Sequence, residues 1–135
     1  MSVAAPTPDS TPRVLVVDDE PDIRDLVCRI LERGPFAFDE AENGIQGLEK
    51  IAQADYAAVL LDLMMPGLGG LDVLRILAER NPDVLKRVIV MTGATDDLVK
   101  QVDARVFAVL RKPFPMKALL DAVRRCVATS DSVAS

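Results

Sequence analysis

The sequence predicts an α/β fold in which one parallel sheet is covered by helices on both faces. Five short apolar runs alternate with five segments of helical period along the chain. The runs are continuously apolar and do not alternate with polar residues, which is typical of parallel strands buried on both faces. The chain has 135 residues, 50% of them hydrophobic, so it is long enough to bury one sizeable core.

Each strand is predicted from a run rich in Val, Leu, Ile or Phe, and each helix from an apolar stripe of period 3.6. The predicted strands are residues 13–18, 36–40, 56–62, 87–92 and 106–111. The predicted helices lie between Pro21 and Gly34, at 44–53, at 71–80, at 96–103 and from Pro115 onward. Pro21 suits a first helical turn and Gly34 suits a helix C-terminus, which supports the bounds of the first helix.

A strict β-α alternation with right-handed crossovers leaves few topologies. It predicts a flavodoxin-like, doubly wound five-stranded parallel sheet in the order 2-1-3-4-5, with five helices. We predict one domain over residues 13–128, between a flexible N-terminal tail over 1–12 and a short C-terminal tail over 129–135. No second domain is expected.

Composition excludes several classes of function. The formal net charge of -5 argues against a nucleic-acid partner, because binding a phosphate backbone needs a basic face. We expect no signal peptide, and no apolar stretch approaches the ~20 residues needed to cross a bilayer, so we expect a cytoplasmic protein without membrane insertion. The two cysteines, Cys28 and Cys126, lie on apolar stripes and are expected to be reduced core residues. The chain has no His, which excludes a Ser-His-Asp triad and most zinc sites.

The residues at the strand ends carry the chemistry. Asp18 and Asp19 end the first strand, Asp62 ends the third, Thr92 ends the fourth and Lys112 follows the fifth. Ligands of an open parallel sheet bind beyond the carboxyl ends of its strands, near the point where the strand order reverses. Strands one and three flank that point, so these side chains are predicted to converge on one crevice.

Carboxylates that converge in this way persist only if a cation joins them or if one of the acids stays protonated. Two of them ~4 Å apart repel each other by about 4 kcal/mol at an effective dielectric near 20. The Lys112 ammonium and a bound divalent metal are both available to compensate that repulsion. With only oxygen ligands nearby, the metal is predicted to be Mg²⁺ before Ca²⁺ or Mn²⁺. Taken singly, each of these residues also fits helix capping or turn formation, and only the joint pattern indicates a site.

Four motifs together resemble the receiver domain of two-component response regulators. They are Val-Leu-Val-Val-Asp-Asp-Glu-Pro at 14–21, Leu-Leu-Asp-Leu-Met-Met-Pro-Gly at 60–67, Val-Met-Thr-Gly at 90–93 and Lys-Pro-Phe at 112–114. The resemblance spans residues 13–128. It implies a single-domain phosphoacceptor switch, not a turnover enzyme. A histidine kinase or histidine phosphotransfer protein would phosphorylate it, and it would signal to a downstream protein as a monomer or a phosphorylation-dependent dimer.

The resemblance also assigns roles to individual residues. Asp62 would accept the phosphoryl group. Asp18 and Asp19 would hold Mg²⁺ together with Asp62 and the backbone carbonyl of Met64. The other implied features are the Thr92 hydroxyl, which closes on the phosphoryl group, the Lys112 ammonium, which pairs with its oxygens, and a cis peptide bond between Lys112 and Pro113.

Two features depart from the family pattern. Receivers usually carry Tyr or Phe three residues before the lysine, where this chain has Val109. Phe107 is predicted to point to the same side of the strand but about 6–7 Å further back, at ~3.3 Å per residue, so it cannot substitute. The interval from Thr92 to Lys112 is also short for the family, which predicts a trimmed or altered fourth helix.

Two other interpretations remain open at this stage. A receiver-like interaction module would keep the fold and work without phosphorylation, and it predicts a broken acidic pocket. A phosphatase of the haloacid dehalogenase type has a similar sheet but places Asp-x-Asp after the first strand, where this chain reads Asp18-Asp19-Glu20.

Overall fold

The structure is a computed structural model that describes residues 11–134. Within this range, five strands form one parallel sheet in the order β2-β1-β3-β4-β5, which confirms the predicted fold. The strands are β1 (Arg13–Val17), β2 (Ala37–Ala41), β3 (Ala58–Asp62), β4 (Val88–Thr92) and β5 (Ala108–Arg111). The helices are α1 (Pro21–Leu31), α2 (Gly44–Gln53), α3 (Gly70–Arg80), α4 (Asp96–Val99) and α5 (Met116–Ala134), with a 3-10 helix at Pro82–Arg87. Residues 1–10 of the predicted N-terminal tail lie outside the described residues.

The pairing of the strands places the crevice between β1 and β3. β1 pairs with β2 on one side and with β3 on the other, and β4 and β5 extend the sheet beyond β3. The direction of winding reverses at the β1–β3 pair, where open sheets of this type bind ligands. Val17 is the register partner of Leu61, so the residue after each of them lies at the same rim of the sheet.

The core consists of two apolar layers, one on each face of the sheet. α1 and α5 cover one layer, which includes Val14 and Val16 of β1. α2 and α3 cover the other layer, which includes Leu15 and Val17 of the same strand. Successive residues of a strand therefore enter opposite layers. Because both layers are buried, the inner strands β1, β3 and β4 read as mainly apolar runs.

The cysteines lie in the core, as predicted. Cys28 and Cys126 are buried in the layer under α1 and α5, and no disulfide joins them. Burial raises the pKa of each thiol to about 12, so neither is a nucleophilic thiolate at neutral pH. No helix within the described range has the length and apolar character needed to cross a membrane.

The segment between β4 and β5 differs from the predicted helix over 96–103. α4 is one turn only, and the next turns close through hydrogen bonds to carbonyls three residues back, which is the tighter 3-10 pattern. Asp103 then accepts the Arg105 N–H at 2.9 Å and ends the helical run in a local turn. The predicted extent of the helix is wrong, and the expectation of a trimmed fourth helix is confirmed.

Two further features of the secondary structure differ from the prediction. The 3-10 helix was not predicted, although Pro82 at its start suits a first turn and its Val84 and Leu85 are buried. α5 continues to Ala134, whereas the domain was predicted to end at residue 128.

Phe107 packs on the opposite side of the sheet from Val109, so the predicted shared side is wrong. Phe107 lies just before β5 and packs in the layer under α1 and α5. Val109 packs in the layer under α2 and α3. The alternation of side chains does not extend to Phe107, because that residue precedes the regular strand. Its ring is thus even less able to take the place of an aromatic residue at Val109.

A close backbone approach at Gly70 sets α3 against the end of β3. A Cβ atom on Gly70 would lie 2.6 Å from the backbone oxygen of Asp62 and 2.7 Å from the Cα of Leu63. Both are backbone atoms that cannot move aside independently. The Gly70 N–H also donates to the Leu63 carbonyl at 3.1 Å. The loop between β3 and α3 can therefore close over the strand end only with glycine at this position.

Replacing Gly70 with Ala is expected to lower the free energy of unfolding by about 2 kcal/mol or more, because the new methyl group overpacks the strand end. Urea unfolding of the two proteins measures the difference. Gly69→Ala is the matched control, since its Cβ would lie 3.5 Å from the nearest atom and should cost less than about 1 kcal/mol, mainly through weaker N-capping. Equal losses in the two variants would contradict the proposed clash.

Candidate functional site

Four of the predicted site residues meet at the carboxyl rim of the sheet. Asp18 follows β1, and Asp62 and Thr92 end β3 and β4. These three are the buried polar residues of the described chain. Lys112 follows β5, and its side chain is 24% exposed. The Lys112 N–H donates to the Thr92 carbonyl at 2.8 Å, which ties the ends of β4 and β5 together.

The Lys112 ammonium faces both buried carboxylates. Its Nζ lies 3.6 Å from Oδ2 of Asp62 and 4.0 Å from Oδ2 of Asp18. Both separations are longer than a hydrogen bond, so the ammonium compensates charge without saturating either oxygen. The Lys112–Pro113 peptide bond is cis, as the resemblance implied.

Backbone N–H groups hold the polar side chains in position. The Glu20 N–H donates to Oδ1 of Asp18 at 3.0 Å, and the Met64 N–H donates to Oδ1 of Asp62 at 3.1 Å. In each carboxylate, one oxygen is fixed by the backbone two residues on while Oδ2 faces the ammonium. The Oγ1 of Thr92 accepts from the N–H two residues on at 2.8 Å, so its hydroxyl hydrogen remains available to a further acceptor.

Burial makes the carboxylates difficult to ionise together. Desolvation raises the pKa of Asp18 from 3.8 to about 6, and the neighbouring charge of Asp62 adds to this effect. Desolvation also raises the pKa of Asp62, and the charge of Asp19 adds to it. The backbone donors and the Lys112 ammonium oppose both increases. The Lys112 ammonium and the backbone donors therefore do not return these pKa values to their ordinary level.

The donor set suits a hard divalent cation. Oxygens of Asp18, Glu20 and Asp62 all lie within 4.8 Å of one another. Oδ2 of Asp18 and Oδ1 of Asp19 are buried and accept no hydrogen bond, a costly state that a cation would relieve. All these ligands are oxygens, the donors that Mg²⁺ prefers. The residues present therefore fit a Mg²⁺ site.

Glu20 is the residue that sequence reasoning missed. Its carboxylate belongs to the converging group, yet in the sequence it read only as part of the helix entry. Asp19 is not a member of that group of three, and its part in metal binding stays a prediction. Met64 lies in the loop after β3 with its side chain exposed, and the role of its carbonyl also stays a prediction. Glu20 lies three positions after the end of β1, and it could have been found by noting that the turn after a strand can bring such a residue back towards the rim.

The sequence profile of the response regulator receiver domain matches residues 14–124. This chain belongs to that family. Receiver domains are the phosphoacceptor switches of two-component systems and are not turnover enzymes.

Several proteins with curated sequences are similar to this receiver domain. The transcriptional regulatory protein ResD of Bacillus subtilis is 40% identical, over 74% of this chain and 48% of its own length. The DNA-binding dual master transcriptional regulator RpaA of Synechocystis is 32% identical, over 90% of this chain and 52% of its own length. The chain thus spans about half the length of the curated relatives it matches.

Solved structures share the fold of this receiver domain. A CheY-like receiver domain protein from Methanospirillum hungatei has a TM-score of 0.81 at 26% identity, over 91% of this chain and 98% of its own. The response regulator TrrA from Thermotoga maritima, solved in complex with Mg²⁺ and BeF, has a TM-score of 0.72 at 32% identity, over 85% of this chain and 98% of its own.

Replacing Asp18 with Asn is expected to stabilise the metal-free receiver domain at neutral pH. The folded-state pKa of Asp18 is about 6 against an ordinary 3.8. Between these values the folded protein binds more protons than the unfolded chain, so its stability falls as the pH rises through that window. A pKa difference of this size corresponds to about 3 kcal/mol.

Urea unfolding in EDTA measures this effect in the wild type and in Asp18→Asn. The variant should be more stable by about 2–3 kcal/mol near pH 7.5 and nearly equal to the wild type near pH 4. A difference of the same size at both pH values would show that ionisation of Asp18 is not its origin.

Proposed function

We propose that this receiver domain accepts a phosphoryl group on Asp62 from a histidine kinase or a histidine phosphotransfer protein, in a reaction that needs Mg²⁺. It then signals to a protein partner through a change of conformation. The observation that carries the proposal is the setting of the Asp62 carboxylate. It is buried at the rim of the sheet, one oxygen is held by the Met64 N–H, and the other faces the Lys112 ammonium at 3.6 Å.

In the proposed reaction, an ionised Asp62 oxygen attacks the phosphorus of a phosphohistidine. The bond from phosphorus to this oxygen forms as the phosphorus–nitrogen bond breaks, and the departing imidazole keeps the electron pair. Phosphoryl transfer depends mainly on positioning and on neutralising the charge of the three equatorial oxygens. Lys112 would pair with one of those oxygens, and the Met64 N–H, which donates to Oδ1 of Asp62, would orient the carboxylate for attack.

The residues proposed to hold Mg²⁺ are Asp18, Asp19, Asp62 and the backbone carbonyl of Met64. The chemistry that the ion supplies when bound is neutralisation of the carboxylates and of the phosphoryl oxygens. The unpartnered oxygens of Asp18 and Asp19 support this assignment. Glu20 lies close enough to join the set.

Thr92 is the proposed link between the phosphoryl group and the surface. Its hydroxyl can donate to a phosphoryl oxygen while Oγ1 keeps the Ala94 N–H at 2.8 Å. A movement of Thr92 towards the phosphoryl group would therefore pull the loop that leads into α4. Arg111 couples that loop to β5, because its Nη1 donates to the Ala94 carbonyl at 3.4 Å and its Nη2 pairs with Asp96.

The proposed signal reaches the surface without an aromatic ring that changes rotamer. Val109 stands where the ring would be and packs under α2 and α3, and Phe107 packs on the other face. The route that remains is the backbone of the short loop before α4 and its Arg111 contacts. A new arrangement of that surface would be read by a protein partner or would promote a phosphorylation-dependent dimer.

Incubation with acetyl phosphate and Mg²⁺ is expected to add one phosphoryl group to the wild type, and intact-protein mass spectrometry detects it. Asp62→Asn should acquire none, because an amide oxygen is not a competent nucleophile. Removing Mg²⁺ with EDTA should slow the labelling by at least about tenfold, since the ion supplies much of the charge neutralisation.

Equal labelling of the wild type and Asp62→Asn would contradict the proposed acceptor. A wild type that binds its partner equally well with and without phosphoryl donor would favour the interaction module that works without phosphorylation. Repeated turnover of small phosphate esters would instead favour a phosphatase.

A further inference from the structure

One guanidinium group is packed behind the acidic corner, the segment Asp18–Glu20 that follows β1. Arg24 lies in the second turn of α1, and its Nη1 donates to the backbone carbonyl of Asp18 at 2.8 Å. Its Nε donates to Oε1 of Glu40 at 3.0 Å, and its Nη2 lies 3.9 Å from Oε1 of Glu42. Three nitrogens of one planar group therefore reach the acidic corner and the end of β2 at the same time.

The Arg24 side chain is far more enclosed than the next arginine of the same helix. It is 12% exposed, whereas the Arg29 side chain is 73% exposed and pairs with Asp25 of its own helix at 3.1 Å. A pair as exposed as the latter contributes little. The enclosed group is different, because its rigid fork fixes the relative positions of its acceptors.

The contacts of Arg24 complete the fixation of the acidic corner. The Asp18 N–H donates to the Ala41 carbonyl at 3.1 Å, and the Asp18 carbonyl accepts from Arg24. The Glu20 N–H holds Oδ1 of Asp18. Within the corner, Oδ2 of Asp18 and Oδ1 of Asp19 remain buried without a hydrogen bond. The bonds around the corner thus leave one oxygen of each acid without a hydrogen-bond partner.

We propose that Arg24 is a positioning residue for the divalent cation. It holds the backbone of the acidic corner against β2, so that the carboxylates of Asp18 and Asp19 stay oriented towards the ion. The inference rests on the proposed function, since it concerns the same Mg²⁺ site. Arg24 is not itself a ligand of the ion, because a guanidinium has no lone pair to offer.

The direction in which replacing Arg24 changes Mg²⁺ affinity distinguishes a positioning role from a purely electrostatic one. A positive charge beside the acidic corner repels a cation, so loss of the charge alone should tighten Mg²⁺ binding. Loss of the fork should instead weaken binding, because the carboxylates lose their fixed orientation. Lys keeps the charge but has one nitrogen, which cannot reach Asp18 and Glu40 together. Arg24→Lys should therefore bind Mg²⁺ more weakly than the wild type, and at least as weakly as Arg24→Gln.

The test is the dissociation constant for Mg²⁺, measured by titration calorimetry at a temperature where every variant is folded by circular dichroism. We expect it to rise about tenfold in Arg24→Gln and in Arg24→Lys, in line with other groups that orient metal ligands. Glu40→Gln should produce a smaller rise, since the carbonyl contact survives. The double variant Arg24→Gln/Glu40→Gln should bind no more weakly than Arg24→Gln alone. Arg29→Gln is the matched control and should leave the constant unchanged.

The labelling rate with acetyl phosphate gives a second readout. Raising the Mg²⁺ concentration should restore the rate of Arg24→Gln, because the acceptor Asp62 is untouched. Unchanged or tighter Mg²⁺ binding in Arg24→Gln would overturn the inference and leave the proposed function standing, as would a lower Tm with an unchanged dissociation constant. A wild type that binds no Mg²⁺ would overturn both.

Discussion

The mutual repulsion of buried carboxylates at the rim of the sheet is the constraint on which this structure depends. Asp18 and Asp62 are almost fully buried at the ends of adjacent strands, and their charges repel each other. One ammonium at 3.6 and 4.0 Å offsets that repulsion only in part. The site is therefore built with a deficit of positive charge, which a divalent cation can offset.

The rest of the fold holds this unfavourable arrangement in place. The parallel register brings the ends of β1 and β3 side by side, and the two apolar layers keep those strands rigid. Backbone N–H groups fix one oxygen of each acid. Gly70 lets α3 start against the end of β3. Stability gained in the core thus maintains an electrostatically unfavourable cluster of acids at the rim.

How far the sequence could predict the structure depended on the range of the interactions. The sheet, its order and the meeting of Asp18, Asp62, Thr92 and Lys112 follow from apolar periodicity and from which residue ends each strand. Such regular patterns can be recognised from the sequence alone. The one-turn α4 and the side taken by Phe107 were not predictable in detail. Both depend on how a short, weakly apolar segment closes on β5, and no period encodes that.

The candidate site shows the same limit. The strand-end acids were found, but the convergence of Glu20 depends on how the chain turns after β1. The contacts of Arg24 join α1 to the segment after β1 and to β2. They can be seen only in the folded chain. In the sequence, Arg24 is one basic residue of an amphipathic helix, and nothing distinguishes it as a positioning residue.

The central claim is that the buried carboxylates depend on a cation. A pH titration of the Asp18 carboxyl group, followed through its carbon chemical shift by NMR, tests this claim most directly. In the metal-free protein the account predicts a pKa of about 6, and in saturating Mg²⁺ a pKa below the ordinary 3.8. A pKa near 3.8 without metal, unmoved by Mg²⁺, would show that the carboxylates do not depend on a cation and would contradict the account.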